Sequence, residues 1–95
     1  MEKMSIQRKA TIADTELQFD LVAMGLNYMV SGSYLIKNFT DGDIYAGFVS
    51  GDKEKMSLIP AETAQVFSGT MLEGNILYIL PTETSDKGVE VQCLR

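Results

Sequence analysis

Two apolar segments on either side of Asp41–Gly42 form the clearest pattern in this chain. From Tyr34 to Phe48 the sequence reads YLIKNFTDGDIYAGF. An Asp-Gly pair between two such segments is typical of a β-hairpin with a two-residue turn. That turn would also fix the register of the two strands, with Phe39 facing Ile44.

The predicted hairpin register divides the side chains between two faces. One face would carry Leu35, Lys37, Phe39, Ile44, Ala46 and Phe48, and the other Tyr34, Ile36, Asn38, Tyr45, Gly47 and Val49. Both sets are mostly apolar. A strand pair with one solvated side shows a clean apolar and polar alternation, so we expect neither face to lie wholly in water.

Short apolar segments separated by turn signals continue along the rest of the chain. They lie at 5–12, 17–22, 26–30, 56–59, 64–67, 76–80 and 89–94. With the two hairpin strands this makes about nine short strands at the spacing typical of a sandwich. The sequence therefore predicts one all-β domain over residues 1–95, an antiparallel β-sandwich of jelly-roll type.

A helix competes with a strand between Thr15 and Met24. Thr15 and Gln18 could form a capping box, and Leu17 and Leu21 fall at helical spacing. We favour a strand over residues 17–22, because apolar and polar residues alternate there and Gly25 would interrupt the helix.

The segment from Ile76 to Leu80 has no polar residue on either face. In a two-layer sandwich only one face of each strand covers the core, and monomers seldom expose large apolar patches. The second face should be covered by the chain itself, for which Met24–Val30 is one candidate, or by another subunit. The expected partner-binding residues are Tyr28, Tyr45, Ile76, Tyr78 and Leu80.

Composition argues against most catalytic and nucleic-acid functions. The 95 residues include no histidine, which removes the commonest general base and metal ligand. The net charge of −5, with scattered basic residues, does not favour nucleic-acid binding. Asp41–Gly42–Asp43 is better interpreted as a turn than as a calcium loop. We therefore expect no enzyme activity, metal or cofactor.

The single cysteine and the N-terminal residues bear on the last strand and on where the protein is made. Cys93 would share a buried face with Val89 and Val91 in a last strand. The N-terminal residues lack the apolar core of a signal peptide, and no apolar run is long enough to span a bilayer. We expect a protein made in the cytoplasm that does not enter membranes.

Several short elements stand out from Tyr34 onwards. They are IKN, DGDIY and GF within 34–48, SLIPAET at 57–63, ILYILPT at 76–82 and the final VEVQ. In these elements and their order the chain resembles small β-rich structural proteins of tailed bacteriophages. Residues 1–33 have no counterpart in that group.

The resemblance implies a virion component without enzymatic activity, such as a capsid-decoration, head-fibre or tail-associated protein. It also implies a homo-oligomer, most often a trimer, that binds a capsid or tail protein and is made in the host cytoplasm. A carbohydrate-binding module is the alternative, because tyrosines on one face of a sandwich can stack on sugars.

Overall fold

The computed structural model describes residues 6–21, 23–24, 32–69 and 76–93. Within these residues the chain forms eight strands and one short 3-10 helix. The strands are β1 (Ile6–Thr11), β2 (Leu17–Asp20), β3 (Gly32–Asn38), β4 (Ile44–Gly47), β5 (Ser57–Ile59), β6 (Ala64–Gly69), β7 (Ile76–Pro81) and β8 (Ser85–Cys93), and the 3-10 helix is Lys53–Lys55. The strand predicted at 26–30, with Tyr28, lies outside the described residues.

The strands form two antiparallel sheets of four. The first sheet has the order β1-β8-β3-β6 and the second β2-β7-β4-β5. Every strand pair is antiparallel. The predicted all-β sandwich is therefore confirmed, with eight strands in the described part of the chain where about nine were predicted.

One apolar core lies between the sheets. Its largest fully buried apolar side chains are Phe19, Leu21, Met24, Ile36, Ile44, Ile59, Leu77, Ile79, Val89 and Val91. Burial alternates along β7 and through the last residues of β8, as expected where one face of a strand covers a core. Cys93 is buried with Val89 and Val91, which confirms the predicted face.

The hairpin predicted around Asp41–Gly42 is wrong. β3 pairs with β6 and β8 in the first sheet, whereas β4 pairs with β5 and β7 in the second. Residues 39–43 therefore carry the chain from one sheet to the other. The predicted division of faces is wrong as well, because the buried side chains are Tyr34, Ile36 and Asn38 of β3 and Ile44 and Ala46 of β4.

A buried amide explains why the chain changes sheets here. The Asn38 Nδ2 group donates to the backbone carbonyls of Gly42, Ile59 and Pro60 at 2.9, 3.2 and 3.1 Å. Its Oδ1 accepts from the Thr40 N–H at 2.9 Å. These bonds join the end of β3 to the end of β5 in the opposite sheet. A two-residue hairpin turn would leave this buried amide without those partners.

The region between Thr15 and Met24 forms a strand followed by a turn. β2 covers Leu17–Asp20 and pairs with β7, so the strand interpretation is confirmed for these residues. The turn is closed by the Met24 N–H, which donates to the Asp20 carbonyl at 3.0 Å. Met24 itself is buried in the core, and residues 25–30 of the suggested covering segment lie outside the described residues.

β8 begins four residues before the strand predicted at 89–94, since it includes Ser85–Gly88. Gly88 has a φ of +66°, and a Cβ atom there would lie 1.9 Å from the Lys9 carbonyl oxygen of β1. A glycine is therefore needed where the pairing of β1 with β8 shifts register.

Candidate functional site

The outward face of the second sheet carries a continuous group of apolar side chains. Leu58 on β5 lies opposite Tyr45 on β4, and Tyr45 lies opposite Leu80 on β7. Tyr78 and Ile76 continue along β7 on the same side, because the alternating residues Leu77, Ile79 and Pro81 are buried. We call Tyr45, Leu58, Ile76, Tyr78 and Leu80 the outer apolar face.

The structure brings together four of the five residues predicted to bind a partner. Tyr45, Ile76, Tyr78 and Leu80 are all half-buried on this one face. The fifth, Tyr28, lies outside the described residues. Their common location follows from the pairing of β4 with β7, which the predicted hairpin did not include.

Leu58 is the member of the face that sequence reasoning missed. Its side chain is 48% exposed, while the neighbouring Ile59 is fully buried. Both residues lie in a segment predicted as a strand, and alternation places adjacent residues on opposite faces. The pattern alone could have found Leu58 once Ile59 was assigned to the core.

The loop from residues 48 to 56, which joins β4 to β5, bends back across the outer apolar face. The Ser50 hydroxyl donates to Glu16 Oε1 at 2.6 Å, and the Gly51 N–H donates to Glu16 Oε2 at 2.7 Å. Glu16 directly precedes β2, which is separated from β4 by β7. The loop must therefore cross the outward side of β7 to make these bonds.

A second contact holds the same loop near β4. The Lys53 Nζ atom lies 5.0 Å from the centroid of the Tyr45 ring, within the range of a cation–π interaction. Near its end the loop forms a 3-10 turn, in which Asp52 Oδ1 accepts from the Glu54 N–H at 3.1 Å. A polar segment of the chain thus covers part of the outer apolar face, and Leu58 remains largely uncovered.

Two cavities lie away from this face. One, of about 460 Å³, is lined partly by Tyr34, Phe48 and Phe67. In this group the Tyr34 and Phe67 rings stack at 5.5 Å and Phe48 meets Tyr34 edge-on at 6.3 Å. Because the rings contact one another, they serve as an extension of the core. The other cavity, of about 340 Å³, lies where β3 meets the loop at 62–64.

Asp43, one of the two acidic residues of the predicted turn, serves a structural role. Asp43 Oδ1 accepts from the Ala61 N–H at 3.2 Å, and its carbonyl accepts from the Thr82 hydroxyl at 2.6 Å. Within the described ranges no group of three or more acidic or cysteine side chains is arranged to hold a metal ion. Those ranges also contain no helix long and apolar enough to cross a membrane.

Comparison with protein families, curated proteins and solved structures finds no match to this chain.

Proposed function

We propose that the protein is a non-enzymatic structural component that acts by association, as a decoration, head-fibre or tail-associated protein of a phage virion. The observation that carries the proposal is the outer apolar face, where aromatic and aliphatic side chains of three adjacent strands lie side by side. Buried aromatic residues such as tyrosine carry much of the binding energy of protein interfaces, and the buried centre of an interface is more apolar than its rim. The virion assignment rests on the resemblance of residues 34–95.

We further propose that the sandwich is a jelly roll. The pairs β1·β8, β2·β7, β3·β6 and β4·β5 are those of one long hairpin bent at its midpoint, and such a hairpin rolled into two sheets gives the observed strand orders. Eight-stranded jelly rolls occur in viral capsid and lectin domains. The shared architecture supports, by analogy alone, a structural role in a virion and also carbohydrate binding.

The contact would use Leu58 and the parts of Tyr45 and Tyr78 that the loop at 48–56 leaves uncovered, with polar groups around its rim. Gln18 and Asp20 on β2 lie beside Tyr78 and Ile76, and they are exposed. Lys53 flanks the other side through its contact with Tyr45. An apolar centre with a polar rim is the usual arrangement of such interfaces. Copies of the chain, with a trimer favoured, and a capsid or tail protein are the proposed partners.

Light scattering of the purified protein at two concentrations tests the proposal. We expect a mass above that of one chain, and we expect Tyr78→Glu to lower it, because a carboxylate would be buried without a partner. Gln92→Glu is the matched control, since Gln92 lies on the outward face of the first sheet. Equal masses for Tyr78→Glu and the unmodified chain would remove the outer apolar face from the contact.

A carbohydrate-binding module is the second candidate, and the shared face of Tyr45 and Tyr78 is the observation that favours it. The two residues are diagonal neighbours on adjacent strands, because Tyr45 faces Leu80. Two rings at that spacing could stack on consecutive sugars. A glycan array probed with the unmodified chain and with Tyr45→Ala would show binding that the variant loses. An array without signal would dismiss this candidate.

A further inference from the structure

The strands of the described residues form four sheet edges, and three of them carry a feature that discourages pairing with another chain. β1 contains Arg8 and Lys9 and pairs irregularly with β8. β2 has four residues, and the Lys9 ammonium donates to its Gln18 carbonyl at 2.7 Å. β5 has three residues and is followed by Pro60. Charges, proline, irregular pairing and short length are the usual protections of an edge strand.

The fourth edge, β6, has none of these features. Its six residues read AQVFSG, without charge or proline. Among the described residues it pairs with β3 alone. Ala64, Gln65 and Val66 are exposed, and Val66 retains 58% of its accessible surface. An uncharged, exposed edge of this length is open to addition of another strand.

The direction of the free backbone groups on β6 follows from its pairing with β3. The Asn38 N–H donates to the Thr63 carbonyl at 2.8 Å, and these two residues continue the β3–β6 register. Opposite residues alternate between pairs that exchange hydrogen bonds and pairs that do not. Gln65 and Phe67 therefore bond to β3. The residues whose N–H and C=O groups point away from β3 are Ala64, Val66 and Ser68.

We propose that this edge pairs with β6 of a second copy of the chain, antiparallel and centred on Val66. A two-fold axis at Val66 places Ala64 of one copy opposite Ser68 of the other. Three outward residues on each copy then exchange about six hydrogen bonds. The two Val66 side chains meet on one face of the extended sheet, and the uncharged strand produces no like-charge repulsion.

The side chains of β6 favour a second copy as the occupant of this edge. Val66 is 58% exposed and lies beside Leu35 on the outward face, so the two-fold pairing would join the Leu35–Val66 rows of two copies into one apolar row without bringing like charges together. The pairing would join two first sheets into one sheet of eight strands. This inference concerns a different surface from the outer apolar face and shares with the proposed function only the requirement that copies associate.

Amide hydrogen exchange at high and low protein concentration tests the pairing directly. We expect the N–H groups of Ala64, Val66 and Ser68 to be protected at high concentration and to exchange rapidly on dilution. The N–H groups of Gln65 and Phe67 should be protected at both, because β3 holds them. Rapid exchange of the first group at all concentrations would overturn the proposal. Protection that persists in a monomer would also overturn it, since the chain itself would then cover the edge.

Val66→Pro and Val66→Ala provide the matched variants. Proline removes the outward N–H of residue 66 and leaves the bonds to β3 intact, so it should lower the mass measured by light scattering. Alanine shortens the same side chain but keeps the N–H, so it should leave the mass close to that of the unmodified chain. A folded Val66→Pro protein of unchanged mass would contradict the pairing. If Val66→Pro does not fold, the exchange measurement decides.

Tyr78→Glu separates this proposal from the proposed function. If edge pairing exists, Tyr78→Glu should leave the concentration-dependent protection of Ala64 and Val66 unchanged. An oligomer that dissociates in Tyr78→Glu and persists in Val66→Pro would support the outer apolar face and overturn edge pairing. The opposite pattern would support edge pairing and remove the outer apolar face as a contact between copies.

Discussion

The outward faces of the two sheets differ in one row of side chains, although their inward faces share one core. Both outward faces carry apolar groups, which on the first sheet are Ile6, Leu35 and Val66 beside Gln92. On the first sheet Arg8, Glu90 and Lys37 lie in one row across β1, β8 and β3, so that charges of alternating sign are neighbours. Lys37 Nζ lies 3.4 Å from Glu90 Oε2. On the second sheet the corresponding central strands present Tyr45, Tyr78 and Leu80 instead.

The difference shows that the sandwich itself does not require an apolar outward face. Central strands of the first sheet accept paired charges at their outward positions, and the core is no less complete there. The outer apolar face is therefore a property of the particular residues of β4, β5 and β7. Leu58 is 48% exposed and the other members of this face are half-buried. Their retention beside a fold that tolerates charge supports a role in association.

Asn38→Ala would have the largest effect, because it disrupts the connection between the two sheets. The substitution leaves the carbonyls of Gly42, Ile59 and Pro60 without the amide that they share. Asn38 is 1% exposed, so water cannot easily replace it. We expect the free energy of unfolding to fall by about 3 kcal/mol, measured by urea denaturation.

The matched control removes an amide from the neighbouring strand. Gln65 is exposed on β6, and Gln65→Ala should change the free energy of unfolding by less than about 0.5 kcal/mol. If the two substitutions destabilise the protein equally, the buried amide is not what holds residues 39–43 between the sheets.

Asn38 also shows why part of the fold could not be predicted from the sequence. The strand at 17–20 follows from local alternation and the strand at 76–81 from a short continuous apolar run. Both signals depend only on neighbouring residues. The path after Asn38 depends on Ile59 and Pro60, about twenty residues away. A local turn signal such as Asp41–Gly42 contains no information about that contact.

β1 shows a second limit of prediction from apolar and polar alternation, which concerns the face that each side chain takes. Ile6, Ala10 and Ile12 are in phase in the sequence, which would place them together on one face of the strand. All three are exposed, whereas Thr11 is buried. An edge strand is only partly covered by its neighbours, so its apolar residues need not face the core. The register shift between Lys9 and Thr11 also breaks the simple alternation.

Glu16→Ala should have the next largest effect on the free energy of unfolding. It would also expose more of the outer apolar face and so increase the difference between the outward faces of the two sheets. Without the Glu16 carboxylate, the loop at 48–56 loses its two hydrogen bonds across β7. We expect the loop to move away from Tyr78 and Leu80, with a loss of about 1 kcal/mol in the free energy of unfolding. Binding of a hydrophobic dye should rise, and so should the mass measured by light scattering.

Glu54→Ala serves as the control for loop release. Glu54 lies on the same loop and is exposed, and its removal leaves the bonds to Glu16 in place. Dye binding that rises equally in both variants would mean that the loop does not cover the face through Glu16.

Four residues of the outer apolar face could be predicted from the sequence, whereas the loop that covers part of this face could not. The reason is the distance along the chain between the residues that make each contact. Tyr45, Ile76, Tyr78 and Leu80 lie in short apolar segments that are visible in the sequence. The loop contacts depend on a carboxylate that lies 34 residues from Ser50 in the chain. In sequence Glu16 and Ser50 are ordinary polar residues of two separate turns.

The smallest expected effect concerns the charged face of the first sheet. The Lys37 side chain is 37% exposed and that of Glu90 14%, so solvent screens much of their attraction. A double-mutant cycle of Lys37→Ala and Glu90→Ala should give a coupling energy below about 1 kcal/mol. The coupling should decrease as salt rises, because exposed charges are screened within a Debye length. A larger coupling energy that does not change with salt would mean that Lys37 and Glu90 are removed from water in the assembled protein. Both sheets would then take part in contacts between chains, one through charged side chains and the other through apolar ones.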